Sequence, residues 1–249
     1  MEKEELFLRN KFLYLARNAY FKNIVTYSMF LNLNEQTIFE TIQKDLPNIR
    51  HVMFGGYSEA ERKIVCFYCD NIPEFDMLEY IKISPVNKKF ADDLTHRDFL
   101  GALMNLGIER HMVGDICIAD NTAHIITFKS MSETIISELT TVKHTKVVLE
   151  RESADELKAV NRVECKKINI SSERLDSIIG SIYNISRSKV NLYIDAGKVF
   201  INSKQCFSHS SKIKSGDIIT VRGLGRAKFL GISALSKKGR LFAETEIFK

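Results

Sequence analysis

"ERLDSIIGSIYNISRSKVNLYIDAGKVFINSKQ", residues 173–205, is the stretch that decides the fold of the C-terminal third of the chain. Ser171 or Ser172 can cap a helix that begins at Glu173, because a serine hydroxyl accepts hydrogen bonds from the N–H groups of a helix start. The apolar side chains of that helix form one stripe, which predicts a buried face. The stripe consists of Leu175, Ile178, Ile179 and Ile182.

A second helix and a strand follow in the same stretch. Ser186 can cap the helix, and Gly197 is predicted to end it, because glycine adopts the left-handed conformation at low cost. Val199 and Ile201 then alternate with polar residues, which is typical of a half-buried strand, and residues 202–204 turn the chain. The stretch therefore predicts a small α+β module.

The two helix starts carry basic side chains. Arg174, Arg187 and Lys189 are expected on one exposed side, where guanidinium groups and helix N-termini both suit phosphate oxygens. A small domain with a solvated basic face would explain the same residues without any partner. These residues alone leave both interpretations open.

The positive charge of the chain is concentrated in this region. Residues 168–249 contain 14 Lys and Arg against 6 Asp and Glu, a net charge of +8, whereas residues 1–167 contain 22 against 25, a net charge of −3. A domain-sized concentration of positive charge is typical of proteins that bind a polyanion such as RNA.

The composition predicts a folded cytoplasmic protein with several domains. At 249 residues and 45% hydrophobic side chains, the chain can bury a core in each of two or three small domains. Its apolar runs are broken by charge well before about 18 residues, and the start, Met-Glu-Lys-Glu-Glu, is a poor secretory signal. Five cysteines, an odd number, fit a reducing compartment better than a disulfide framework.

Residues 1–75 are predicted to form a small α+β domain. Apolar spacing predicts a helix over 4–21, and Asn34 is expected to cap a second helix. Residues 50–54 and 63–67 are then predicted to form the two strands of a hairpin.

Residues 76–165 are predicted to form a ferredoxin-like domain. The expected β-α-β-β-α-β elements lie at 78–84, 95–106, 114–119, 123–128, 132–142 and 146–150. This order also occurs in RNA-binding sheets that stack bases on aromatic side chains, but the two middle strands lack a basic-aromatic signature, so stacking on this sheet is not favoured. A third domain over 166–249 completes an α+β chain of three small domains, the last with a C-terminal β extension.

Four motifs in the C-terminal third resemble those of one RNA-binding domain. They are Arg-Leu-Asp at 174–176, Ser-Arg at 186–187, Ile-Asp-Ala-Gly-Lys-Val-Phe-Ile-Asn at 194–202 and Gly-Asp-Ile-Ile-Thr-Val at 216–221. Over about residues 171–230 the chain resembles the alpha-L domain, first defined in small-subunit ribosomal protein four. Ser203 departs from the glycine that this domain usually has after Asn202.

The rest of the chain is similar to the YlmH family of bacterial RNA-binding proteins. The motifs are Phe-Gly-Gly-Tyr at 54–57, Ala-Glu-Arg at 60–62, Leu-Thr-His-Arg-Asp-Phe-Leu-Gly-Ala-Leu at 94–103, Leu-Gly-Ile at 106–108 and Gly-Asp-Ile at 114–116. The resemblance implies an N-terminal domain, a ferredoxin-like RNA-binding domain and an alpha-L domain. It also implies a non-enzymatic partner of ribosomal RNA and of tRNA-bearing large ribosomal subunits in the rescue of stalled translation, with an accessory role beside cell-division proteins.

RNA contacts are expected from eight polar or basic residues of the C-terminal domain: Arg174, Arg187, Ser188, Lys189, Lys198, Lys204, Arg226 and Lys228. A secondary set of contacts is expected at a helix start and at the tip of a predicted hairpin, from Arg97, Lys237, Lys238 and Arg240. For Arg97 a structural or solvated role at the helix start is favoured over an RNA contact, whereas an ordinary soluble turn explains the hairpin tip equally well.

Three motifs that suggest catalysis or ligand binding have structural interpretations. The triplet His-Arg-Asp at 96–98 lacks the other parts of a kinase, so its aspartate is expected to form a capping box with Thr95. Residues 223–225, Gly-Leu-Gly, lack the third glycine of a dinucleotide loop. Cys66 and Cys69 lie in a strand-like run without a second Cys pair nearby, so no metal, cofactor or catalytic residue is predicted.

Three functions are carried as hypotheses. The leading one is a non-catalytic protein that holds structured rRNA or tRNA on the large ribosomal subunit through phosphate contacts, in quality control of stalled translation. The second is an RNA-modifying enzyme of the pseudouridine synthase type, because alpha-L domains also accompany such enzymes, although Asp176 is expected to order its helix. The third is a division-associated scaffold, which predicts weak salt dependence of binding where phosphate contacts predict a steep one.

Overall fold

The computed structural model describes residues 3–160, 163–235 and 241–248. The chain divides into two compact units, residues 1–160 and 161–249. The described residues form helices and three sheets, which confirms the α+β fold class. The domain boundaries expected at 75 and 165 stay predictions. The first unit contains two sheets, each with a hydrophobic core of its own. None of the described helices combines the length and the apolar character needed to cross a bilayer.

A long helix packs on a small antiparallel sheet at the start of the first unit. Helix α1 (Lys3–Lys22) buries Phe12, Ala16 and Ala19 in one cluster with Phe67 of the sheet. The other elements are β1 (Thr26–Tyr27), α2 (Leu33–Ile42), β2 (Arg50–Phe54) and β3 (Ile64–Tyr68), with the strands in the order β1-β3-β2. The predicted helix and hairpin are therefore present.

The cap of α2 is Asn32 and not Asn34, so that prediction is wrong. The Asn32 side chain accepts from the backbone N–H of Asn34 at 2.9 Å and of Glu35 at 3.1 Å, and the Glu35 carboxylate accepts from the Asn32 N–H at 2.6 Å. This reciprocal capping box needs an acidic residue three positions after the cap. The same start lets Leu33 enter the buried face of α2.

A five-stranded antiparallel sheet forms the other part of the first unit. Its elements are β4 (Leu78–Pro85), α3 (His96–Asn105), β5 (Val113–Ala119), β6 (Thr122–Phe128), α4 (Lys129–Glu138), β7 (Thr141–Val142) and β8 (Thr145–Glu152), followed by α5 (Ala154–Val160). The strand order is β5-β6-β4-β8-β7. The order of elements along the chain is the predicted β-α-β-β-α-β, with β7 added at one edge.

Two local predictions in this sheet have different outcomes. The capping box at α3 is confirmed, since Asp98 accepts from the Thr95 N–H at 2.7 Å and from its hydroxyl at 2.6 Å. Helix α4 was expected at 132–142 but ends at Glu138. The reason is that Thr141–Val142 instead pairs with β8 as an edge strand, which suits β-branched side chains.

The second unit packs two helices on a six-stranded antiparallel sheet. Its elements are β9 (Val163–Ile170), α6 (Leu175–Tyr183), α7 (Arg187–Asp195), β10 (Val199–Ile201), β11 (Lys204–Gln205), β12 (Ile218–Val221), β13 (Gly225–Leu235) and β14 (Leu241–Phe248), with the strands in the order β11-β10-β12-β13-β14-β9. The predicted apolar stripe of α6 is fully buried and packs with Val190 and Ile194 of α7.

Helix α6 begins later than the sequence indicates. Its cap position is Arg174, with extended backbone and no side-chain hydrogen bond, so the predicted cap by Ser171 or Ser172 is wrong. The predicted cap of α7 is confirmed, because the Ser186 hydroxyl accepts from the Lys189 N–H. Gly197 ends α7 as predicted, with a left-handed φ of 64°.

Candidate nucleic-acid interface

Backbone carbonyl groups of a distant loop hold the start of α6. The Leu175 N–H donates to the Ser211 carbonyl at 2.9 Å, and the Asp176 N–H donates to the His209 carbonyl at 3.2 Å. A helix start normally leaves such N–H groups free for a side chain, water or an anion. Because two of them are occupied here, the side chains at this helix start are better placed than its backbone to bind an anion.

Asp176 joins the two predicted arginines into one cluster. Its side chain is only 2% exposed, and its carboxylate accepts from Arg174 Nε at 3.2 Å and Nη2 at 3.0 Å. The same carboxylate accepts from Arg187 Nε at 2.8 Å and lies 2.7 Å from Arg187 Nη2. The Ser177 N–H donates to it as well, at 2.8 Å. Residues on two different helices are thus fixed by one buried carboxylate.

The electrostatics of the cluster leave a positive outer surface. Burial alone would raise the pKa of Asp176, but hydrogen bonds and charge from Arg174 and Arg187 hold that pKa below its usual range. One negative charge therefore faces two positive charges. The Arg174 and Arg187 side chains keep 43% and 56% of their surface exposed, and each has N–H donors beyond the two bound to Asp176.

The first turn of α7 adds the next two predicted residues to this cluster. Ser188 and Lys189 follow Arg187 directly and are exposed. The Ser188 hydroxyl lies 3.1 Å from that of Ser186. The structure therefore brings together four of the eight predicted contacts, on Arg174 and the start of α7.

A polar groove of about 490 Å³ borders this cluster between α6 and β9. The sequence analysis missed two lysines that line it, Lys166 and Lys167. Lys166 Nζ donates to the Ile182 carbonyl at 2.7 Å, and Lys167 Nζ lies 3.6 Å from a Glu244 oxygen. The signal that could have found them is their adjacency in a strand directly before α6. The remaining polar lining residues include Asn169, Ser171, Ser177, Ser181 and Asn184.

Lys198 and Lys204 lie away from the arginine cluster. Lys198 follows the far end of α7, which spans nine residues and is therefore about 13 Å long. Its ammonium group sits 5.9 Å from the centroid of the Tyr193 ring. Lys204 lies on the edge strand β11. The structure does not gather these lysines with Arg187 in one place.

Arg226 and Lys228 belong to another surface, on the outer face of the six-stranded sheet. They alternate along β13 with Ala227 and Phe229, which enter the core. The Arg226 guanidinium stacks 4.4 Å from the centroid of the Phe248 ring. Packing on the sheet explains this arginine as well as an RNA contact does.

The secondary residues are spread over the chain. Arg97 is exposed at the start of α3, in the first unit. Lys237, Lys238 and Arg240 lie outside the described residues. The flanking strands β13 and β14 pair up to Leu235 and Leu241, so the predicted hairpin is present.

Groups that could support catalysis or metal binding are scarce in the described part of the chain. Those residues contain no cluster of three His, Cys, Asp or Glu side chains that could hold a metal ion. Burial raises the pKa of the Cys66 thiol to about 11, which fits a packed side chain better than a reactive one.

Comparison with known proteins adds independent information. A family model described as "Putative RNA-binding domain in YlmH" matches residues 73–156. The chain is 30% identical over 217 residues to "Ribosome-associated protein quality control protein P2" of Bacillus subtilis (strain 168), which covers 85% of this chain and 82% of that protein.

A solved structure is also similar in fold. The "Cell division protein ylmH from Streptococcus pneumoniae" matches with a TM-score of 0.52 and 23% identity, over 63% of this chain and 95% of that one. At this level of identity the likeness concerns the fold alone.

Proposed function

The chain belongs to the YlmH family, and on that premise we propose that it is a cytoplasmic, non-catalytic RNA-binding protein of ribosome quality control. It binds structured rRNA or tRNA on the large ribosomal subunit while stalled translation is rescued. The alpha-L module over about residues 171–230 supplies the main contacts. Support comes from the RNA-binding family model and from the printed name of the Bacillus subtilis relative.

The observation that carries the proposal is the pair of arginines on Asp176. Two guanidinium groups from separate helices share one buried carboxylate, and both remain partly exposed. A guanidinium matches the geometry of a phosphate with two parallel hydrogen bonds. Because Asp176 already fixes the arginines, they lose less conformational freedom when a phosphate binds.

The same geometry weighs against an enzyme built on this Arg-Leu-Asp sequence. A catalytic carboxylate has to reach substrate, whereas the side chain of Asp176 is 2% exposed and bound to three N–H-bearing groups. Its position therefore suits an orienting role. An accessory role in cell division is a second candidate, which the resemblance of the sequence motifs to the YlmH family implies.

A salt titration with charge-neutral variants tests the proposal. Arg187→Gln combined with Lys189→Gln removes two phosphate contacts, so the slope of log affinity for large-subunit RNA against log salt should fall by about two. Lys214→Gln is the matched control, since Lys214 is exposed in the same unit but outside the cluster. Equal slopes for the double variant and the wild type would contradict this site. A wild-type affinity that does not change with salt concentration would favour a protein partner.

A further inference from the structure

The loop between β4 and α3 presents a phenylalanine to solvent. Phe90 is 79% exposed, which is the highest value among the large apolar side chains of the described residues. It ends a single 3-10 turn, Lys88–Phe90, that Asn87 caps by accepting from the Lys89 N–H at 3.1 Å. Lys89 Nζ lies 5.8 Å from the centroid of the Phe90 ring. An aromatic ring and two lysines therefore share one turn.

This loop is fixed to the hairpin formed by β7 and β8. The Val86 N–H donates to the Lys146 carbonyl at 2.9 Å. On the other side of Phe90, the Asp92 N–H donates to the Thr145 hydroxyl at 2.8 Å, and the Asp92 carboxylate accepts from the His144 N–H at 3.2 Å. Phe90 thus sits between two anchored positions, which reduces the entropy that a bound ligand would have to remove.

Asn121 and Lys143 tie the same loop to the rest of the sheet. The Asn121 side chain donates to the Asp92 carbonyl at 2.7 Å and accepts from the Leu94 N–H at 2.8 Å. Lys143 Nζ donates to the Asp93 carbonyl at 3.3 Å and lies 3.0 Å from an Asp98 oxygen. Three segments of the chain meet at this end of the sheet and hold the loop in place.

The exposed charge at this end of the sheet is mainly positive. Five exposed cations are present on the loop, on the β7–β8 hairpin and at the start of α3: Lys88, Lys89, Arg97, Lys143 and Lys146. Asp93 is also exposed on this loop, whereas the carboxylates of Asp92 and Asp98 are engaged in hydrogen bonds within the fold. The bond from Thr145 is the main cause that holds the pKa of Asp92 below its usual range, and bonds from Thr95 lower the pKa of Asp98 to about 2.

Strand β6 of the five-stranded sheet is closed to bases on both of its faces. Strand β6 is buried along its whole length, because one side packs on α3 and α4 and the other packs on Phe30, Tyr57 and Leu157. Base stacking on this strand, a mode of other RNA-binding sheets of this order, is therefore blocked. An exposed aromatic ring remains at the end of the sheet.

We propose that the β4–α3 loop is a second RNA-binding surface, which stacks an unpaired base on Phe90 and contacts the flanking phosphates through Lys88, Lys89 and Lys146. A single ring among cations suits a nucleobase and its phosphates. A protein partner would be favoured by a broad apolar patch, and Val86 is the other exposed large apolar side chain on this loop. The inference rests on the proposed function, and it places a contact within the residues that the RNA-binding family model matches.

The absence of tryptophan from the chain allows a direct test with the full-length protein. Phe90→Trp keeps a stacking ring and adds a single fluorophore. An RNA hairpin with an unpaired loop should quench this fluorescence, whereas a blunt duplex of the same stem should not. Phe21→Trp is the matched control, because Phe21 is 76% exposed in the same unit and is followed by Lys22. Equal responses of the two tryptophans would overturn the inference.

Affinity for the same hairpin gives the second measurement. Phe90→Ala combined with Lys89→Gln should weaken binding about tenfold or more, since one stacked base and one phosphate contact are lost. Phe21→Ala combined with Lys22→Gln should leave binding unchanged. If the Phe90 variant binds the hairpin with wild-type affinity, the inference about this loop is wrong, while the proposal for the C-terminal site is unaffected. A wild-type protein that binds no RNA at physiological salt would overturn the proposed function as well.

Co-sedimentation with large ribosomal subunits separates RNA from protein at this surface. If the Phe90 variant no longer co-sediments with the subunit but binds the isolated RNA hairpin as tightly as the wild type does, the loop contacts a ribosomal protein and the inference is wrong. Parallel loss in both assays supports it. Circular dichroism of the Phe90 variant should show an unchanged fold, because the Phe90 side chain is exposed and does not pack in the hydrophobic core.

Discussion

At the scale of single residues, Asp176 is the side chain on which the candidate site depends. A buried carboxylate is unfavourable unless it is paired and hydrogen-bonded. Here Arg174, Arg187 and the Ser177 N–H satisfy it. The aspartate therefore stabilises the junction of α6 and α7 and also orients two cations toward solvent. Stability and RNA affinity should respond together when it is changed.

Asp176→Asn should lower the free energy of unfolding of the second unit by about 2 kcal/mol, because charge-assisted hydrogen bonds to two guanidinium groups are lost. Urea denaturation measures this change. Asp195→Asn is the control, since Asp195 is exposed and pairs only with His209 in the contacts described. A similar loss in both variants would show that burial of Asp176 is not the cause.

The stabilising effect of Asp176 should also depend on pH. Its pKa is lowered in the folded protein, so between the folded and unfolded pKa values the unfolded chain binds more protons. The stabilisation is present above the unfolded pKa of about 3.9 and is lost as pH falls through the folded value. The difference in unfolding free energy between wild type and Asp176→Asn should shrink from pH 6 to pH 3. A constant difference over this range would contradict the assignment.

At the scale of elements, the β10–β11 hairpin departs from ideal turn chemistry. Its two turn residues, Asn202 and Ser203, both have left-handed backbone, with φ values of 49° and 69°. Asn202 tolerates this conformation, and its side chain also accepts from the Ile218 N–H at 2.9 Å. Serine adopts the left-handed conformation less readily than glycine does. Ser203 is therefore a site of backbone strain.

Ser203→Gly should raise the free energy of unfolding of the second unit by about 0.5–1 kcal/mol, because glycine has no Cβ to clash in the left-handed conformation. Thermal or urea denaturation measures the gain. Ser203→Ala separates the two effects of the change, since it removes the hydroxyl but keeps the strain. Stabilisation by alanine as well as glycine would mean that φ is not the cause.

At the scale of the whole molecule, the chain contains two compact units with separate cores. Charge follows this division, because the net positive charge lies in the C-terminal third. The main candidate RNA site and the second proposed surface lie in different units. Each can therefore be changed by substitutions within its own unit.

Matched core variants should show that the units open independently. Ile178→Val and Ile125→Val each remove one methyl group from a fully buried side chain, in the second and first unit respectively. Each should cost about 0.5–1.5 kcal/mol. In hydrogen exchange, each variant should lower protection only within its own unit. Loss of protection in both units after either change would mean that they unfold as one.

The sequence by itself determined the features that depend on local spacing. The α+β class, the buried stripe of α6, the Ser186 cap and the Gly197 stop follow from residues a few positions apart, as does the placement of Arg187 at a helix start. The tertiary structure alone decided the features that depend on distant segments. Asp176 meets Arg187 only because α6 and α7 pack together, and the N–H groups of Leu175 and Asp176 at the α6 start bond to a loop more than thirty residues further along the chain.

The same distinction explains which site residues were found and which were missed. Lys166 and Lys167 border the site because β9 pairs with β14 at the edge of the six-stranded sheet, a pairing that spans most of the unit. Lys198 is separated from Arg187 because it follows the opposite end of the same helix. Periodicity along the chain specifies which face of an element is buried, whereas the neighbours of that face are set by the packing of elements far apart in sequence.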